Sequence, residues 1–274
     1  MAMLPADYHI HSHHSGDCDS PMKDVIVAAV SRKLPAMCFT EHMDMDYPDL
    51  PDIKKGQFEL DTDAYFSEYQ KLADEYKDII PVRFGVELGL QPQIVDFNAD
   101  YVKKYPFDFV IGSTHVCHGQ DPYYPEFYEN RTEKEAFSFF FKTTLENIQD
   151  FDDFDVYGHL DYVVRYAPNG DKNFRYEDHK EIIDEILTLL ISKNKGLDVN
   201  TKSLYSSSLS QPNPCKDILC RYKKLGGKII TFGSDAHKST DVSREFEKAV
   251  EIASSAGFDR YCQFIKREPV FFDL

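Results

Sequence analysis

The chain has 274 residues, 42% of them hydrophobic, and a formal net charge of −16 at pH 7. That length and apolar content suffice for one barrel-sized core, and the acidic balance argues against nucleic acid, whose recognition depends on basic patches, and for a small-molecule partner. No window approaches the ~20 apolar residues of a membrane span, and the start lacks the basic and apolar pattern of a secretion signal, so no membrane partner and a cytoplasmic location are expected.

The first apolar run is DYHIHSH (7–13), read as a buried strand, and Pro21 then opens a helix over 22–33. AMCFTEH (36–42) is the second strand, and 44–60, with Tyr47, Pro48, Pro51 and Gly56, has the composition of a long irregular loop. A helix over 62–76 carries Tyr65, Phe66, Tyr69 and Leu72 at helical spacing, and VRFGVEL (82–88) is the third strand. A helix over 93–104, the strand FVIGSTH (109–115) and a second long loop over 117–131 follow. The helix predicted over 133–149 holds Phe137, Phe139, Phe140 and Phe141, which read as core packing and not as a ligand platform.

DVYGHLD (155–161), a helix over 177–193, a short strand over 196–201, a helix over 213–225, the strand IITFGSDAH (229–237) and a helix over 242–256 complete the alternation. A last run, 263–272, would close or cap the structure, although Pro269 suits it poorly to a central strand. Seven strands, each followed by a helix or a long loop, make a β/α barrel the economical architecture, with chemistry expected at the C-terminal strand ends. The six cysteines show no CxxC pairing and read as reduced thiols.

Those strand ends hold the chemistry-bearing residues. One histidine at a strand end is ordinarily a solvated or hydrogen-bonded residue. Here His9, His11, His42, His115, His159 and His237, six of the ten histidines, share that place with Glu87 and Asp235. Imidazole and carboxylate repeated in this way are what a multinuclear metal site needs, which points to a metallohydrolase. Alternate residues of a strand share a face, so His9 can converge with His11 on one ion, and Asp235 with His237. Asp161, two residues after His159, is read either as the carboxylate that orients an imidazole or as a helix cap.

Taken in order and spacing, DYHIHSHHS, TEH (40–42), GVELG (85–89), IGSTH (111–115), GHLDYVVRY (158–166), Asn200-Thr201 and GSDAH (233–237) resemble the polymerase and histidinol phosphatase (PHP) superfamily, in its histidinol-phosphate phosphatase branch. The resemblance implies a distorted (β/α)7 TIM-like barrel in a single domain, 1–274, and three divalent ions, Zn, Mn or Fe. The first ion would take His9, His11, Glu87 and Asp235; the second would share Glu87 and add His115 and His159; the third would take Asp17, His42 and His237. Asp17 stands where many members carry His, and His14 and Asp19 are near enough in sequence to compete for the role. A carboxylate there shifts preference toward Mn or Fe, and an Asp beside Gly16 is also an ordinary turn residue.

The implied reaction is hydrolysis of L-histidinol phosphate to L-histidinol and inorganic phosphate in histidine biosynthesis, by a metal-bridging hydroxide attacking phosphorus in line. Glu87, Asp235 and Arg165 are the expected catalytic residues. Arg165 doubles as the phosphate clamp, Lys202 and His118 as further substrate contacts, and Asp161 or Asp235 as the acid for the leaving alcohol. Asp44, Asp46 or Glu126 near the mouth would receive the substrate's cationic groups. The competing readings are the same metal hydrolase acting on a nucleotide, phosphodiester or phosphotyrosine, and a metal-binding domain without turnover.

Overall fold

A computed structural model of the chain describes residues 4–50, 52–206 and 209–274; Pro51, part of the first long loop, lies outside them. Seven parallel strands, β1 (Asp7–Ile10), β2 (Met37–Met43), β3 (Val82–Gly89), β4 (Phe109–Ser113), β5 (Val156–Tyr157), β6 (Gly196–Asn200) and β7 (Ile230–Gly233), pair in chain order and close into a barrel through β1 and β7. The expected (β/α)7 barrel is therefore formed. Outside it lie α1 (Met22–Ser31), α2 (Thr62–Tyr76), α3 (Val95–Lys104), α4 (Glu133–Asp150), α5 (Tyr162–Arg165), α6 (Lys180–Ser192), α7 (Lys202–Ser206), α8 (Lys216–Lys224) and α9 (Phe246–Ser255).

Several strands stop short of the runs that announced them, and what they leave out is functional. His115, His159 and Asp235 each sit two residues beyond the ends of β4, β5 and β7. His159 (φ 24°) and Asp235 (φ 52°) have left-handed backbones, a conformation costly for these side chains that ends each strand and turns the residue over the barrel mouth. Gly158 permits the first of these turns, since a Cβ there would lie 2.2 Å from Ser113 Oγ.

The helix starts predicted at 177 and 213 are early. Residues 176–178 form a single 3-10 turn before α6, and the chain passes a cis Asn213–Pro214 bond before α8 begins at Lys216. The short α5 and α7 carry too few residues to show a period. On α4, Phe137, Phe140 and Phe141 are buried and Phe139 packs partly against the same core.

The last run does not close the barrel. It lies in a separate antiparallel hairpin, β8 (Arg260–Ile265) and β9 (Glu268–Asp273), turned by Lys266 and Arg267, both at positive φ. Pro269 fits because β9 is an edge strand. The hairpin covers the N-terminal end of the barrel: Phe264 packs on Phe109 at 5.0 Å between ring centroids, Tyr8 Oη donates to Phe264 O, and Arg267 bridges Asp153 and Asp155. The strand-end histidines lie at the other end of the barrel, the C-terminal mouth.

Candidate metal centre

Glu87 of β3 is fully buried, and five imidazoles converge on its carboxylate. Its Oε2 lies 3.1 Å from His9 Nε2, 3.6 Å from His11 Nε2 and 3.1 Å from His42 Nδ1. Its Oε1 lies 3.3 Å from His115 Nε2 and 2.9 Å from His159 Nε2, and accepts a hydrogen bond from Ser113 Oγ. Asp235 Oδ1 stands 3.5 Å from both His11 Nε2 and His237 Nδ1, and Asp17 faces His237 Nε2 at 3.1 Å and His42 Nε2 at 3.7 Å. The structure thus brings all nine sequence-predicted positions into one cluster. His14 and Asp19 do not enter it: His14 turns to Glu68 and Asp19 is exposed.

The donor set fits divalent ions. Among the described residues, ten buried side-chain nitrogen or oxygen atoms lack a hydrogen-bond partner, and six of these are here: His9 Nε2, His11 Nε2, His42 Nδ1, Glu87 Oε2, His159 Nδ1 and His237 Nε2. Such atoms are costly to bury unless something binds them. Several rings also have their other nitrogen fixed from outside, the arrangement that aims an imidazole at a metal. His9 Nδ1 meets Asp198 Oδ2 at 2.8 Å, His11 Nδ1 meets Ser15 Oγ at 3.0 Å, and His115 Nδ1 meets Asp44 Oδ1 at 2.7 Å. Imidazole with carboxylate and no thiolate suits Zn, Mn and Fe alike.

Electrostatics prepares the same site. Burial would raise the pKa of Glu87, but His9 and His115 hold it well below the carboxylate range; Lys202, His9 and Arg165 do the same for Asp235 against its burial. Burial holds His159 down at about 4 and His11 well below its ordinary value, leaving both neutral with lone pairs available. His9 and His115 go the other way. Burial opposes their charge, yet Glu87 with Asp198 raises His9, and Asp44 with Glu87 raises His115. Two protonated rings therefore neutralise buried carboxylates in the metal-free protein.

Over the cluster opens a cavity of about 320 Å³. Its floor includes His42, His115, His159, Arg165, Lys202 and Asp235. Arg165 is buried and spread over three acceptors: Asp235 Oδ2 at 3.1 Å, Asn200 Oδ1 at 2.8 Å and Asn213 Oδ1 at 3.3 Å. Lys202 Nζ is 3.1 Å from Asp235 Oδ1. The outer wall comes from the two long loops, with Asp44, Tyr47 and Phe58 from one and Asp121, Tyr123 and Tyr124 from the other. Tyr47 Oη donates to Asp121, tying the loops together, and burial pushes the Asp121 carboxyl up to about 6.

Four expectations need correction. His118 is not at the site: it is exposed, 3.0 Å from Glu146, and stacked on Phe139. Asp161 neither orients His159 nor reaches the cavity; it accepts from Asn213 Nδ2 at 2.6 Å and Cys215 N at 3.0 Å, fixing the amide whose oxygen faces Arg165. Of the mouth acids, Asp44 lines the cavity, whereas Asp46 pairs with Gln93 and neither it nor Glu126 is among the lining residues. Asp235, held ionised, is a poor acid for a leaving group. Sequence reasoning missed Asp44 as the partner of His115 and Asp198 as the partner of His9. The signal for Asp198 was present, as a charged residue inside the apolar strand GLDVN.

Comparison with known proteins decides the family. The model of the PHP domain matches residues 7–202. The chain belongs to the PHP domain family. Over 96% of its length this PHP domain protein is 35% identical to the histidinol-phosphatase of Lactococcus lactis, covering 95% of that protein. It is 32% identical over 97% of its length to the Clostridium acetobutylicum protein named "Probable histidinol-phosphatase", covering 96% of it. The crystal structure of the Lactococcus lactis histidinol phosphate phosphatase, solved with zinc, L-histidinol and phosphate, superposes with a TM-score of 0.86 at 32% identity, covering 98% of this chain and 100% of that one. A solved structure from Listeria monocytogenes shares the fold at a TM-score of 0.78 and 18% identity, over 89% of this chain and 99% of that one. No described helix of this PHP domain protein is long and apolar enough to cross a membrane.

Proposed function

We propose that the chain is a metal-dependent histidinol-phosphate phosphatase, releasing L-histidinol and inorganic phosphate in histidine biosynthesis. The observation that carries this reading is the near full-length similarity to the Lactococcus lactis enzyme, joined to a cavity with imidazoles and carboxylates at its floor. In this reading His9, His11, Glu87 and Asp235 would hold a first ion, Glu87, His115 and His159 a second, and Asp17, His42 and His237 a third. Bound divalent ions supply a water acidic enough to act as a nucleophile at neutral pH and neutralise the phosphate oxygens.

The chain's own groups do the rest. Arg165, held as a planar fork by Asp235, Asn200 and Asn213, presents its guanidinium to the phosphate, and Lys202 adds a second positive charge beside it. Asp121, on the wall made by the long loops, suits the ammonium and imidazole end of the substrate, with Tyr47, Tyr123 and Tyr124 lining the same side, while the Asp44 carboxylate is committed to His115. Ser113 and Asp198 hold Glu87 and His9 in place. We assign the activity to one domain, 1–274, and its location to the cytoplasm.

A scan of small phosphomonoesters, nucleotides and phosphodiesters against metal-reconstituted protein tests the substrate class. The proposal expects monoester turnover with a strong preference for a cationic leaving alcohol. Preferential cleavage of diesters or nucleotides would move the chain to another activity.

A further inference from the structure

A second set of metal-ligating side chains lies apart from the centre around Glu87. The chain leaves the barrel after β1 through residues 12–20, a loop closed on itself by His13 N donating to Ser20 O and by turns at Ser12–Ser15 and Ser15–Cys18. In that loop His13 and His14, neighbours in sequence, point their imidazoles the same way, with ring centroids 4.4 Å apart. Both Nε2 atoms face one oxygen of Glu68 on α2: His14 at 2.9 Å and His13 at 3.4 Å. The three ligand atoms all lie within 4.8 Å of one another, and none of the three residues lines the cavity.

We propose that His13, His14 and Glu68 form a further divalent-metal site, taking imidazole-preferring ions such as Zn2+, Co2+, Ni2+ or Cu2+. Bonds of about 2.0–2.1 Å in a tetrahedral site set ligand atoms about 3.3–3.5 Å apart, so these side chains need little movement to close on an ion. Two imidazoles and one carboxylate is a set that late first-row ions bind and that Mg2+ or Ca2+ do not favour. Among the described residues, the ion-pair partners of Glu68 are these two imidazoles, and no Lys or Arg competes for it. His13 and Glu68 are about two-fifths exposed, which gives an ion entry and leaves room for water as the remaining ligand, while His14 is nearly buried and rests near Tyr65. The protein's net charge of −16 favours cation uptake.

An ion here would clamp the 12–20 loop to α2. That loop also carries Ser15, whose hydroxyl meets His11 Nδ1, and Asp17, which faces His42 and His237. The peripheral site thereby secures Asp17 of the main cluster and Ser15, the partner of His11, without touching the cluster.

The test uses holoprotein with its main centre loaded with Zn2+, dialysed to equilibrium against micromolar Zn2+, with metal and protein both quantified. Wild type should hold one equivalent more than a His13→Ala/His14→Ala variant, and Glu68→Gln should lose the same equivalent. Added Cu2+ should give an electron paramagnetic resonance signal split by two imidazole nitrogens in wild type that disappears in the double variant. Retained circular dichroism and phosphate release show that the variants are folded, and the single Glu68→Gln change on the face of α2 guards against a double variant that is not. Equal metal content in all three proteins with no nitrogen-coupled copper signal would overturn the proposal and leave an ion pair only.

Discussion

Asp44 offers the sharpest test of how the site is supported. The residue is 3% exposed, its Oδ1 is 2.7 Å from His115 Nδ1, and its Oδ2 is 3.7 Å from His42 Nδ1. It is wedged against Gly89, where a Cβ would stand 1.9 Å from Oδ1, and its N–H donates to Phe58 O at the base of the 44–60 loop. A hydrogen bond to a charged group contributes about 1.5–3 kcal/mol, and losing the carboxylate behind a metal-bound imidazole typically costs about 10–100-fold in metal affinity. Asp44→Ala removes the acceptor altogether, whereas Asp44→Asn keeps an acceptor of the same shape and loses the charge. The free Mn2+ concentration that half-activates apo protein should therefore rise on the order of 10–100-fold in the alanine variant and by less in the asparagine variant, with metal content falling in parallel. Half-activation at an unchanged concentration in Asp44→Ala would refute the claim that this carboxylate holds His115 for metal.

Arg165→Lys keeps the charge but cannot fill three acceptors as a planar fork, so kcat/KM for a phosphomonoester should fall by about 10²-fold, on the scale of a lost preorganised donor; steady-state kinetics on folded variant checks it. Metal uptake should release protons, because His9 and His115 are held protonated in the apo protein and must lose those protons to bind; affinity then rises with pH, measurable by titrating metal in two buffers of different ionisation enthalpy. Asp121, raised to about 6 in the folded chain from 3.8, binds its proton more tightly folded than unfolded between those values, so it costs apo protein stability as pH rises from about 4 to 6, by up to about 3 kcal/mol. Denaturant titrations of Asp121→Asn should lack that decline, and parallel pH curves for the two proteins would contradict it.

What the sequence disclosed was what repeats. Histidines recur at the ends of five of the seven strands, with Glu87 and Asp235 at two strand ends, so the barrel and eight of the nine clustered positions were legible from local patterning, and Asp17 came only with the family resemblance. Partners that meet only through folding were not. Nothing in MDMD announces that Asp44 packs under Gly89 to reach His115, 71 residues away. His118, close in sequence to His115, was carried to the surface by the turn after β4, and Asp161, close to His159, was drawn to Asn213 by the entry into α5. Proximity along the chain fails there because both residues follow a left-handed or irregular backbone, where a strand's alternation no longer says which way a side chain points. The final run caps the barrel, one of the two expected roles, but its hairpin form escaped for a related reason: the central turn needs positive φ at Lys266 and Arg267, residue types that do not advertise it.

Release of inorganic phosphate from L-histidinol phosphate by metal-reconstituted protein, beside Glu87→Ala prepared in the same way, is the most direct test. Turnover well above that on generic phosphomonoesters, lost together with bound metal in Glu87→Ala, is the predicted result. Metal-dependent turnover of generic esters with none on histidinol phosphate would contradict the assignment, and full activity in Glu87→Ala would contradict the centre built around that carboxylate.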